Sequence, residues 1–185
     1  QPDAAIGITD DPIADRDRFY RSTDPDPDRG LAIGFTDLPI YRSRGKKHFL
    51  KKVKKEPWSG VRNYQARNFM WKDMNTGDGV LFYHSNTKIP GIAGLAKVAS
   101  ASYPDPTQFD PESDYWDPKA TPEKPHWFLV DVSFERKFKQ VISLETLRAH
   151  AERLGEFTLL NRGTRLSVLP VTKAQWQTIL KLEPK

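Results

Sequence analysis

Two short stretches concentrate side chains that recognise other molecules by shape. "WSGVRNYQARNFM" (Trp58–Met70) carries Arg62, Asn63, Tyr64, Gln65, Arg67 and Asn68, and "FYHSN" adds Tyr83, His84, Ser85 and Asn86. Asn, Gln and Arg present donors and acceptors in fixed planes, and aromatic rings offer faces for stacking. These are the groups that read base edges and hold unstacked bases. Backbone amides at a helix start near Asn63 would add an anion-attracting end. The same amide side chains also cap helices and brace loops, so residue types alone leave recognition and support both open.

Catalytic chemistry is poorly served. The four histidines, His48, His84, His126 and His150, include no HxH or HxxxH pair, so no helical or strand zinc site is expected. His84 and Ser85 are neighbours on an expected strand and would point to opposite faces, which argues against a nucleophile–base couple. No GxSxG, P-loop or GxGxxG pattern occurs. Asp105, Asp110, Asp114 and Asp117 cluster in a proline-rich stretch without EF-hand spacing, and turn formation accounts for them. No catalytic residue, metal or cofactor is expected.

The elements that must position the polar stretches follow from pattern. "NYQARNFMWKDM" has helical spacing, with Ala66, Phe69, Met70 and Met74 on one face and Tyr64, Asn68 and Trp71 on the other. "VLFYHS" and "IAGLAKVASASY" read as strands, the second with small residues where backbones approach closely. "HWFLVDVSFERKF" reads as one long alternating strand. "SLETLRAHAERL" is a helix with Ser143 as N-cap, and "RLSVLPV" is a short strand. "TKAQWQTILKL" is a closing helix whose Thr172 and Gln175 are spaced as a capping box. Residues 104–125 hold six prolines and read as a long extended loop. "LAIGFTDLPIY" has strand character that Gly34 and Pro39 weaken. The sum is α+β, a small, partly open β-barrel with helices against it.

Composition sets the outer bounds. The 185 residues fit one domain with a tail, and the absence of cysteine excludes disulfides and thiol chemistry. No apolar run is long enough to span a bilayer, no secretory signal is evident at the start, and no membrane partner is expected. Charge is uneven. Residues 1–45 hold six Arg and nine Asp, a net of −3, while residues 46–185 hold 23 basic and 15 acidic residues, a net of +8. A basic body favours polyanions, though a solvated surface has the same composition.

Taken in order, "WSGVRNYQARNFM", "GVLFYHSN", "PGIAGLAKV", "YPDPTQFDP", "YWDPKATPEKPHWFLVDVSFERKF" and "NRGTRLSVLPVT" resemble the EVE domain family of the PUA-like superfamily, over about residues 50 to 182. The resemblance implies a PUA-like mixed or antiparallel barrel with flanking helices. It also implies a non-enzymatic reader that accepts a modified base, modified cytosine in DNA or a modified base in RNA. Asn63, Tyr64, Gln65, Tyr83, His84, Ser85 and Trp127 would form the base pocket. Arg62, Arg67 and Arg165 would meet phosphates, and Tyr103 and Asp105 would rim the opening. The alternative is a small-molecule or protein-interaction module using the same pocket. A bacterial cytoplasmic or eukaryotic nuclear location is expected. Trp71 stands where the family tends toward polar residues, and it is expected on the surface.

The resemblance fails before about Leu50. Relatives open with a strand of the form Trp-Leu-x-Lys-Ser-Glu-Pro, which this chain lacks. With ATT for Ile33, the codons of Ile33–Leu38 read two nucleotides on can encode Trp-Leu-Tyr-Arg-Ser. The domain is therefore expected over residues 46–185. Residues 1–45 are expected to be an atypical segment, disordered or translated out of frame, which would leave the barrel without its first strand.

Overall fold

The computed structural model describes residues 31–35, 55–163 and 166–184. Along the chain run β1 (Leu31–Phe35), β2 (Glu56–Pro57), α1 (Tyr64–Lys72), β3 (Gly79–His84), β4 (Gly91–Val98) and β5 (Tyr103–Pro104). They are followed by β6 (Phe128–Leu129), β7 (Asp131–Ser143), α2 (Leu144–Ala149), α3 (Ala151–Leu154), β8 (Val168–Pro170) and α4 (Lys173–Lys181). Six strands form one sheet in the order β2-β7-β4-β3-β1-β8, and β5 pairs with β6 separately. Pairing is antiparallel except between β1 and β3.

Strand alternation gives this sheet two buried faces. Val80, Ala96 and Val168 point to one side, and their neighbours Leu81, Leu95 and Leu169 to the other. Helix α1 covers the first face through Ala66 and Met70, with Met74 just beyond it; α2, α3 and α4 cover the second, where Leu147, Leu154 and Ile179 pack. Register shifts interrupt β3–β4 after Phe82 and β4–β7 at two places; such bulges bend strands and curl the sheet into a half-barrel. Gly94 sits where β4 and β7 close up, since a Cβ there would lie 2.5 Å from the Arg136 carbonyl oxygen.

Local signals match the elements. Asn63 caps α1, its Oδ1 accepting from the Gln65 and Ala66 amides. Ser143 caps α2, and Thr172 and Gln175 form the full capping box of α4. Trp71 is 43% exposed on the outer side of α1. Two boundaries differ from expectation. The long strand breaks at Val130, whose carbonyl accepts from the Trp58 amide, so Phe128–Leu129 turns away to pair with Tyr103–Pro104. The helix from Ser143 breaks at His150, where α3 begins.

The strand character of "LAIGFTDLPIY" is realised in part: Leu31–Phe35 runs between β3 and β8, pairing with both. Gly34, the residue that weakened this reading, is required there, because a Cβ would overlap the Trp58 indole. The expectations for residues 1–30 and for Pro39 lie outside the described residues, as does the lysine run as far as Lys54.

Candidate functional site

The chain leaves α1 at Asp73 and enters β3 at Gly79, and α1 itself packs on β6 and β8. Trp58 covers Gly34, the register partner of Phe82. Phe82 and His84 meet edge to face at 5.7 Å, on the α1 side of the sheet. Tyr83 points the other way and is buried in the second core with Leu81 and Ile92, where burial raises its phenol pKa. Of the expected pocket, Asn63, Tyr64 and Gln65 lie at the start of α1, and His84 and Ser85 at the end of β3. Tyr83 contributes backbone there and no ring.

Tyr64 is 60% exposed, yet its ring is held in place. It stacks on Trp127 with centroids 4.8 Å apart and planes 26° from parallel. Trp127 is buried, and its indole N–H donates to Asp117 Oδ2 at 2.8 Å. The same oxygen lies 3.0 Å from His126 Nδ1, and Asp117 Oδ1 accepts from the Lys119 amide. That amide bond, then the His126 contact and the indole, holds the Asp117 carboxyl down at about 2. Trp127 therefore supports the exposed Tyr64 ring from behind.

The expected phosphate and rim groups are mostly committed elsewhere. All five N–H groups of Arg62 have acceptors. Nε and Nη2 share the Tyr115 carbonyl, Nη2 also reaches Thr107 Oγ1 at 3.0 Å, and Nη1 donates to the Val61 carbonyl at 3.1 Å and Asp105 Oδ2 at 2.9 Å. Asp105, 1% exposed, also accepts from the Gly60 amide and from the Thr107 amide and hydroxyl. Arg62 and Asp105 are the framework that fixes the approach to α1, not a phosphate ligand and a rim. The Tyr103 hydroxyl donates to Asp131 Oδ1 at 2.6 Å, and burial, then that bond, drives its pKa far up. Arg67 donates through Nη1 to the His126 carbonyl, and burial lowers its pKa. Asn63 Oδ1 serves the helix cap, so α1's first amides meet their own side chain and not an outside anion. Arg165 lies outside the described residues.

Sequence reasoning missed Gln108, which is fully buried. Its Nε2 donates to the Asp105 and Trp127 carbonyls, and its Oε1 accepts from the His126 and Trp127 amides. It ties the proline-rich loop to the strand that presents Trp127. The one available signal was an uncharged polar residue between Pro106 and Phe109 in a loop otherwise built of turns. Asp110 and Asp117 accept from amides two residues on, the turn role expected of them. Among the described residues no group of three His, Asp or Glu side chains is placed to hold a metal ion, and no helix is long and apolar enough to cross a membrane.

Residues 42–182 match the EVE domain. Thymocyte nuclear protein 1 of Danio rerio is 46% identical over 133 residues, 68% of this chain and 57% of that protein. The Homo sapiens protein of the same name is 42% identical over 135 residues, 69% and 59% of the two chains. The chain thus spans less than two thirds of these relatives' length. Among solved structures, a protein from Pseudomonas syringae has a TM-score of 0.75 at 41% identity, covering 84% of this chain and all of its own. The crystal structure of human THYN1 protein in complex with 5-methylcytosine-containing DNA has a TM-score of 0.73 at 35% identity, over 84% of this chain and 98% of that one.

Proposed function

Since the chain belongs to the EVE domain family, we propose that it binds nucleic acid and holds one modified base at the α1 end of β3. Asn63, Gln65, His84 and Ser85 would meet the base edge, and Tyr64 on its Trp127 support would stack on the face. The observation that carries this reading is the Tyr64–Trp127 pair, an exposed ring made rigid from behind. Extruding a base costs a few kcal/mol. Stacking on a fixed ring returns about 1–3 kcal/mol, and edge hydrogen bonds supply the rest. Human THYN1, similar over nearly all of its solved chain, supports DNA as the polymer and 5-methylcytosine as the first modification to try. RNA is the second arm. The protein acts as a reader and leaves the base unchanged, in the nucleus of a eukaryote or the cytoplasm of a bacterium.

The test is a titration with one oligonucleotide carrying cytosine, 5-methylcytosine or 5-hydroxymethylcytosine, as DNA and as RNA, at two salt concentrations. Tighter binding of a modified form, lost in Tyr64→Ala or His84→Ala, supports the pocket. The recovered oligonucleotide should have unchanged mass. Equal, salt-sensitive binding of every form would reduce the activity to a basic surface. No binding to any form would favour a small molecule or protein as the occupant. We also propose that the family-like part of the domain begins near residue 46, and that the preceding segment, which supplies β1 to the sheet, is an atypical extension or an out-of-frame translation. Sequencing the coding region for an insertion or deletion upstream of Leu50 decides between these.

A further inference from the structure

The outer face of α1 carries a row that starts at Tyr64 and runs beyond the proposed pocket. Tyr64, Arg67 and Trp71 fall three and four residues apart, so they share one stripe of the helix. Trp71 lies over Phe128, with centroids 4.3 Å apart and planes 7° from parallel, and is still 43% exposed. The Arg67 guanidinium carbon lies 5.0 Å from the Tyr64 ring and 5.8 Å from the Trp71 ring; Lys72 Nζ is 5.8 Å from the Trp71 ring. Ser102 donates to the Trp71 carbonyl and fixes this end of the helix. The Arg67 Nε–H is buried and has no acceptor. A large ring backed by a second ring, with cations beside it, suits a partner having a flat face and a negative charge on the same unit. A nucleotide has both. The basic excess of residues 46–185 has the matching sign.

We propose that Trp71, backed by Phe128 and flanked by Arg67 and Lys72, stacks an unpaired base of the same strand whose modified base enters the pocket. This inference rests on the proposed reading. From Tyr64 to Trp71 the helix advances about 10 Å, the rise of about three stacked nucleotides. The base concerned is therefore two or three positions from the modified one.

The test uses single-stranded DNA with a central 5-methylcytosine and several flanking nucleotides, and the same strand with abasic flanks. Both are titrated into the parent, Trp71→Ala and Trp71→Phe, each first shown folded by its unfolding midpoint. Trp71→Ala should weaken binding of the intact strand about five-fold or more, with Trp71→Phe close to the parent. On the abasic strand the parent should already be weakened, and Trp71→Ala should lose nothing further. An equal loss on both strands, or no loss on either, overturns the stacking surface. If the parent still prefers 5-methylcytosine in that case, the pocket reading stands alone. If the parent binds neither strand, both readings fail. Self-association of the parent that Trp71→Ala abolishes, seen by sedimentation, would make the face a contact between copies and also overturn the proposal.

Discussion

Arg62 shows how a side chain can look like a ligand contact and be framework. A phosphate-binding arginine needs N–H groups left over, and this one has none: its donors hold the Tyr115 and Val61 carbonyls, Thr107 and the buried Asp105. Sequence could nominate Arg62 for the site but could not count its acceptors, because all but the Val61 carbonyl come from residues more than 40 positions away. Lysine cannot reproduce a planar fork, and removing one partner of a buried pair costs about 3–5 kcal/mol. Arg62→Lys should therefore lower the unfolding free energy by about 3 kcal/mol in urea titrations, with affinity per folded molecule kept. Asp117 gives a pH prediction. Its carboxyl falls from an ordinary 3.8 to about 2 in the fold, so the stability it contributes is complete above about pH 4 and is lost as pH falls toward 2. The unfolding midpoint should drop between about pH 4 and pH 2, and Asp117→Asn should remove part of that drop.

At the scale of elements, the residues that cap and face helices were legible. Asn63, Ser143 and the Thr172–Gln175 pair act where their spacing put them, and Ala66, Met70 and Met74 are buried on the face their period marks. Asn63 was legible in only one of its two readings, since capping uses Oδ1 and says nothing of the amide nitrogen. Asn63→Asp separates them. Aspartate caps as well as asparagine, whereas Asn63→Ala costs about 1 kcal/mol. The unfolding midpoint should thus hold in Asn63→Asp while preference for the modified base falls. What the pattern could not show was tertiary: Val130 leaving the strand to receive Trp58, and Gly34 making room for an indole from another segment. Gly34→Ala tests the second. Overpacking costs about 1–3 kcal/mol, so its unfolding midpoint should fall clearly in a thermal scan.

Across the whole molecule, a curled sheet has a core on each face, and the start of α1, with Tyr64 on its Trp127 support, belongs to the face opposite α2, α3 and α4. The fold class was legible because alternation and helix period agree along most of the chain. The hydrogen-bond partners of the candidate residues were not legible, because they depend on which donors the long loop takes. The central claim is that one base leaves its stack for the α1 end of β3. It is tested most directly by placing 2-aminopurine beside the 5-methylcytosine of a duplex and following its fluorescence during titration. The account predicts a saturable rise that is larger than with unmodified cytosine and is lost in Tyr64→Ala. Binding at full affinity with no rise, or with the same rise for cytosine, would contradict it.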